Sequence, residues 1–103
     1  MDLKGSKTEK NLEDAFAGES RAQNTYRYYA DAARKAGHDP IADVFLEIAQ
    51  NEGEHARTQF EFLARIKETR TNLEAVARRE KYERTVMYPE FAKTAREDRR
   101  AHV

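Results

Sequence analysis

The fold and the chemistry of this chain are both decided by the stretch Asn51-Glu52-Gly53-Glu54-His55, in the middle of its most amphipathic segment. Apolar residues recur on both sides of it at spacings of three and four, which keeps them on one face of a helix. That face consists of Ile41, Val44, Phe45, Ile48, Glu52, His55, Gln59, Phe62, Leu63 and Ile66. A carboxylate and an imidazole therefore occupy positions where the pattern expects aliphatic side chains.

Glu52 and His55 lie one helical turn apart, the spacing with which helical bundles present an oxygen and a nitrogen ligand to one metal ion. An unpaired charge in a core is costly, so such groups become neutral or find a partner. A metal ion is one partner that suits both. However, a Glu-x-x-His motif also arises by chance, and a single His55 is more often structural than a ligand. The motif therefore needs support from the rest of the chain.

The composition favours one polar helical domain. The 103 residues are enough for one domain and not two, and 39% are hydrophobic while 37% are charged. The 19 basic and 19 acidic residues are intermixed and give no net charge, which argues against nucleic acid or an anionic membrane as the partner. No apolar run is long enough to span a bilayer, so we expect a cytoplasmic protein. The lack of cysteine excludes disulfides, cysteine-ligated metal sites and thiol catalysis.

The helix-capping and helix-ending residues of the chain predict three helices, at about residues 8–35, 40–68 and 72–97. We expect them to form a single domain spanning residues 1–103. Ser6 or Thr8 can cap the first helix. Gly37 suits the left-handed position that ends this helix, and Asp39 and Pro40 suit the N-cap and first residue of the next. So short a connection makes helices one and two antiparallel neighbours.

The second junction, Thr69 to Asn72, is less defined. Thr71 and Glu74 form a capping box, which predicts a new helix start, but no glycine or proline enforces a break. One long rod and a turned hairpin both remain open. In a rod, His55 and Glu80 would lie about 38 Å apart, too far to share a site within one chain. Pro89 falls inside helix three and predicts a kink or a freed carbonyl.

Each predicted helix carries acid on its apolar face: Glu19 in the first, Glu52 in the second, and Glu80 with Glu83 in the third. Taken singly, Glu19 could be a buried acid bonded to a nearby tyrosine, and the pair in helix three could be a solvated face. Taken together, these acids and one imidazole predict a metal site. Such a ligand set favours iron or manganese over structural zinc, and two metals bridged by glutamate would offset the mutual repulsion of the acids.

Four segments resemble the rubrerythrin family of ferritin-like di-iron proteins. They are residues 3–12, 15–22, 51–56 and 80–92, and together they reach along nearly the whole chain. The resemblance implies that the metal ligands are Glu19, Glu52, His55, Glu80 and Glu83. It also implies that Tyr26 and Tyr88 line the site with catalytic roles. It further implies two iron ions per site, with manganese or zinc as substitutes.

The same resemblance implies an oxidoreductase that reduces hydrogen peroxide, with oxidation of Fe(II) for iron storage as the alternative within the enzyme class. Since the chain lacks the cysteines of a rubredoxin-like domain, we expect electrons to come from a separate donor, such as a rubredoxin-like protein, or from Fe(II) itself. A hypothesis of another class is a truncated helical scaffold whose metal site is vestigial or passive.

Two departures from the family pattern determine the expected assembly. The long crossover between the second and third helices is nearly absent, and the chain stops before a fourth helix that would carry a second Glu-x-x-His. We therefore expect an all-α, ferritin-like bundle in which three helices per chain are completed to four by association of identical chains, as a homodimer or larger oligomer. Exchange of the third helix between chains is one form of this hypothesis.

Overall fold

The computed structural model describes residues 3–101, and they form α-helices joined by short connections. The elements are α1 (Lys7–Lys35), α2 (Asp39–Phe62), α3 (Thr69–Tyr82), a π-helical segment (Glu83–Met87) and α4 (Tyr88–Ala101). The predicted all-α class is confirmed. The chain divides into two compact units, the first ending at Ile66 and the second beginning at Lys67. None of the helices in the described part is long and apolar enough to cross a membrane.

The first unit is a hairpin of α1 and α2, and its ends follow local sequence signals. Ser6 is the N-cap of α1, and its hydroxyl accepts a hydrogen bond from the amide of Glu9 at 3.0 Å. Gly37 takes the left-handed conformation after α1, with φ of +83°. One detail differs from expectation: His38 is the N-cap of α2, so Asp39 and Pro40 are its first two helical residues. The carboxylate of Asp39 lies in the first turn, where its negative charge interacts favourably with the helix dipole.

Alanines form the buried centre of the hairpin. Among the described residues, those that are fully buried are Ala30, Ala42, Ala49 and Ala56. The three on α2 recur every seventh residue, which places them on one stripe of the helix. Small side chains let two helix backbones approach closely, so the larger residues that flank this stripe are displaced to its edges.

Ring contacts and ion pairs join α1 to α2 away from the alanines. The rings of Phe16 and Phe60 stack with their centroids 4.8 Å apart, towards the open end of the hairpin. Near its closed end, Arg34 donates a hydrogen bond to Asp43 at 3.0 Å, which raises the pKa of the guanidinium. Arg65, just after α2, pairs with Glu13 on α1. These contacts fix the helices in one register along the hairpin.

One side of α2 remains uncovered. Most of the predicted apolar face that begins at Ile41 is exposed, because the alanines occupy the centre of the contact with α1. The residues left exposed recur along one edge of the helix, and we call them the open stripe: Ile41, Val44, Ile48, His55 and Phe62. An uncovered apolar stripe on a small domain indicates a surface that associates with another element.

The second junction corrects two expectations. Helix α2 ends at Phe62 rather than near Glu68, and Ala64 takes a left-handed conformation with φ of 54°. Glu68, not Thr71, is the N-cap of α3. The predicted capping box is therefore wrong. Instead, the Asn72 amide brackets the backbone of Lys67, accepting from its N–H and donating to its carbonyl, both at 2.9 Å. Helices α2 and α3 are consequently separate helices.

The third predicted helix is divided by a π-helical segment. The N–H of Tyr88 donates to the carbonyl of Glu83, five residues back, which is the π-helical spacing. Pro89 follows immediately and has no N–H to continue the α-helical pattern. One turn earlier, the hydroxyl of Thr85 donates to the carbonyl of Lys81 at 2.7 Å. The expected effect of Pro89 thus takes the form of a widened turn just before it.

Candidate metal centre

Three side chains of the first unit converge: Glu19 from α1, and Glu52 and His55 from α2. Glu52 and His55 share a face of α2 because they are three residues apart. Antiparallel packing brings the middle of α1, and with it Glu19, opposite them. One ligand atom of each of the three residues lies within 4.8 Å of the others, and this is the group of metal-ligand side chains found among the described residues.

The polar atoms of this cluster are only partly satisfied. One Glu19 oxygen, Oε1, lies 3.5 Å from Nδ1 of His55, while the other, Oε2, is buried without a hydrogen-bond partner. A buried acceptor with no donor costs about 1–3 kcal/mol. The exposed fraction is 28% for the Glu19 side chain and 61% for that of His55, so the cluster is closed on the Glu19 side and open on the His55 side.

The donor set fits a metal ion. Because metal–ligand bonds of roughly 2.1 Å place two opposite ligands roughly 4.2 Å apart, atoms within 4.8 Å of one another need only a small adjustment. Two carboxylates and one imidazole suit iron or manganese. A cation would also satisfy the orphaned Glu19 oxygen. Three protein ligands leave further coordination positions, and the exposed side of the cluster gives them access.

The other residues that the sequence singled out belong to different elements. Tyr26 is half-buried on α1, with its ring centroid 6.2 Å from that of Tyr29. Glu80 is exposed on α3, and Tyr88 is exposed on α4. Glu83 opens the π-helical segment and pairs with Arg79 at 3.0 Å, with 20% of its side chain exposed. The structure therefore brings together the three predicted ligands of the hairpin, and the remaining acids lie in the second unit.

Two glutamines beside the cluster carry features that sequence reasoning had not assigned to a site. A Cβ atom at Gly53 would lie 2.8 Å from Cδ of Gln23, closer than real Cβ contacts come, so the Gln23 amide occupies that space. Glycine at this position therefore leaves room for a side chain of α1 close to the backbone of α2. Gln59, one turn beyond His55, has a buried side-chain oxygen without a partner. The only signal in the sequence was the glycine in mid-helix.

Comparison with known proteins agrees with the ligand cluster found in the hairpin. A sequence model described as Rubrerythrin matches residues 10–70, which include Glu19, Glu52 and His55. The chain is 46% identical to a rubrerythrin of Nitratidesulfovibrio vulgaris and 45% identical to one of Porphyromonas gingivalis, in each case over 93% of its length. It is 42% identical to rubrerythrin-1 of Clostridium acetobutylicum, again over 93%. The chain spans 54–58% of the length of these relatives.

Proposed function

The chain belongs to the rubrerythrin family, and on that premise we propose that it is a non-haem di-iron oxidoreductase that reduces hydrogen peroxide. The observation that carries this proposal is the cluster of Glu19, Glu52 and His55. Its ligand atoms lie within 4.8 Å of one another, and one buried carboxylate oxygen has no partner within the chain. Relatives named rubrerythrin support the family chemistry, and the donor set supports iron.

We propose further that the centre is shared between chains. A ferritin-like di-metal site uses one Glu from each of two helices and a Glu-x-x-His from each of two others. The hairpin carries half of that set. A second copy, related by a two-fold axis, would supply the other half. The open stripe supports this arrangement because His55 lies among its exposed apolar residues, so association through the stripe would cover the cluster and double its ligands.

We retain Glu80 and Glu83 as further carboxylate ligands, and Tyr26 and Tyr88 as hydrogen-bond donors to the substrate. Glu19, Glu52 and His55 would hold the iron, and a pair of ferrous ions would supply the two electrons needed to reduce peroxide to water. The chain's own groups have simpler roles. The carboxylates would balance the charge of the ions, a ring nitrogen of His55 would act as a ligand, and the tyrosine hydroxyls would orient peroxide. The apolar residues of the open stripe exclude bulk water once they are covered.

The test is anaerobic loading with Fe(II), desalting, and measurement of iron per chain together with the mass of the assembly. We expect one iron per chain in a dimer, or two per chain if the acids of the second unit form part of each site. Glu52→Ala and His55→Ala should abolish iron retention and peroxide consumption. Glu54→Ala is the matched control, because Glu54 is exposed in the same turn and outside the cluster.

Two results would redirect the proposal. Rapid oxidation of Fe(II) by oxygen without peroxide turnover would favour ferroxidase chemistry. No iron retention, with a fold and assembly unchanged by chelator, would favour a helical scaffold. A separate electron donor is also part of the proposal. Peroxide turnover should therefore require an added reductant, such as a reduced rubredoxin-like protein, beyond the first reaction of the loaded iron.

A further inference from the structure

The contact between Gln23 and Gly53 lies beside the metal cluster and has no role in the ligand set. Gln23 follows Glu19 by four residues, so the two share a face of α1 one turn apart. Gly53 directly follows Glu52 on α2. The Gln23 amide therefore touches α2 at the backbone that carries one ligand, while its own helix carries another.

The contact depends on the absence of a side chain at Gly53. A Cβ there would lie 2.8 Å from Cδ and 3.2 Å from Oε1 of Gln23, distances at which one of the two groups must move. Glycine in a helix interior costs about 1 kcal/mol relative to alanine. Gly18, which precedes Glu19 on α1, has nothing within 4 Å of its corresponding position. The two helical glycines beside the cluster thus differ in what they accommodate.

We propose that Gln23 is a positioning residue for the metal centre. Its amide, packed against the backbone of Gly53, sets how closely and in what register Glu19 approaches Glu52 and His55. The packing of the amide does this, rather than a hydrogen bond from it. The inference rests on the proposed metal centre, and it assigns to the chain a second layer of residues that hold the ligands at binding distance.

The consequence is that Gly53→Ala should lower the metal affinity without lowering the stability of the metal-free fold. Alanine favours the helix, and the Gln23 side chain is flexible enough to swing aside, so the metal-free protein should be as stable as wild type or more so. The displaced Gln23 would no longer fix the spacing of the helices at the cluster. Metal affinity should then fall on the order of tenfold, the lower end of the effect of disturbing groups that orient ligands.

The experiment is titration of the metal-free chain with Co(II), which gives both affinity and a visible absorption spectrum, alongside thermal unfolding without metal. Gly53→Ala and Gln23→Ala should weaken binding and alter the spectrum. Gln23→Met keeps the length of the side chain without its amide, so it should restore wild-type binding. Gly18→Ala is the matched control, with a similar gain in helix propensity and unchanged Co(II) binding.

The outcomes separate this inference from the proposed function. If wild type binds no Co(II), the metal centre itself fails. If wild type binds but Gly53→Ala and Gln23→Ala bind equally well with the same spectrum, the positioning role is overturned. Loss of affinity that follows loss of metal-free stability, in both variants, would likewise overturn it, because the contact would then be a general packing contact. Failure of Gln23→Met to restore binding would overturn the role of packing.

Discussion

The two units of this chain carry the same kind of sequence pattern with different structural results. Both show an apolar stripe interrupted by acids. In the hairpin, α1 and α2 pack against each other, alanines are buried between them, and three ligands converge. In the second unit, none of the described residues is buried, and Arg79 of α3 forms an ion pair with Glu83, which lies one turn further along the chain at the start of the π-helical segment. An amphipathic pattern thus identifies a surface, while only a packed partner turns that surface into a site.

The largest effect on this contrast should come from filling the alanine contact. Ala49→Leu adds three carbon atoms where the side chain is 1% exposed, so we expect a loss of about 2–3 kcal/mol in the free energy of unfolding. Ala77→Leu on exposed α3 is the control and should change it by less than about 0.5 kcal/mol. Urea unfolding followed by circular dichroism measures both. Equal effects would show that the hairpin is not closely packed at its alanines.

The hairpin was predictable from sequence because its signals are local. Ser6, Gly37 and Pro40 mark helix ends through the local chemistry of their own residue types, and the phase of Glu19, Glu52 and His55 follows from helical periodicity alone. Which face of α2 meets α1 was less predictable. Hydrophobicity favours large residues for the interior, whereas the closest helix contact selects small ones, so the alanines are buried while most of the predicted stripe is exposed.

The conformation of the second junction and the contacts of the glutamines could not be predicted from local sequence signals. Ala64 takes a left-handed conformation that alanine rarely adopts. The side chain of Asn72, in the first turn of α3, accepts a hydrogen bond from the backbone N–H of Lys67, which precedes the helix. Gln23 and Gly53 lie 30 residues apart in sequence, so their contact depends on a helix register that no local pattern gives. The sequence therefore did not predict contacts between residues that are far apart along the chain.

A second prediction concerns the π-helical segment. Pro89→Ala restores an N–H and removes the ring from the helix interior, so the third helix should become more regular and gain about 1–2 kcal/mol, part of the roughly 3 kcal/mol that proline costs inside a helix. Pro40→Ala, in the first turn of α2, is the control with little effect. Thermal unfolding and helical content measure the change. Reduced stability in Pro89→Ala would show that the widened turn is itself stabilising.

A third prediction concerns the buried side-chain oxygen of Gln59, which has no hydrogen-bond donor in the hairpin. Gln59→Leu removes a buried oxygen that has no donor, so stability should rise by about 1 kcal/mol. Gln50→Leu, at an exposed position of α2, is the control and should leave stability nearly unchanged. Thermal unfolding at one fixed protein concentration compares them. A loss of stability in Gln59→Leu would mean that a group of the assembled protein donates to this oxygen.

The smallest effects should come from the exposed ion pairs. Arg65→Ala breaks the pair that ties the end of α2 to Glu13, and we expect a loss of up to about 1 kcal/mol. Arg79→Ala breaks the pair with Glu83 on the next turn, with a loss of about 0.3 kcal/mol. Both losses should shrink in high salt, since screening weakens the wild-type pairs. A salt-independent loss in Arg65→Ala would indicate packing of its stem instead.

The alanine centre also has a consequence for heat capacity. Unfolding raises the heat capacity mainly in proportion to the apolar surface that it exposes. A hairpin whose fully buried side chains are four alanines contributes little of this by itself. The open stripe, if covered by a second copy, would contribute much more. Calorimetry over a range of protein concentrations would therefore separate the heat capacity change of assembly from that of folding. Both the melting temperature and the curvature of the stability curve should increase as chains associate.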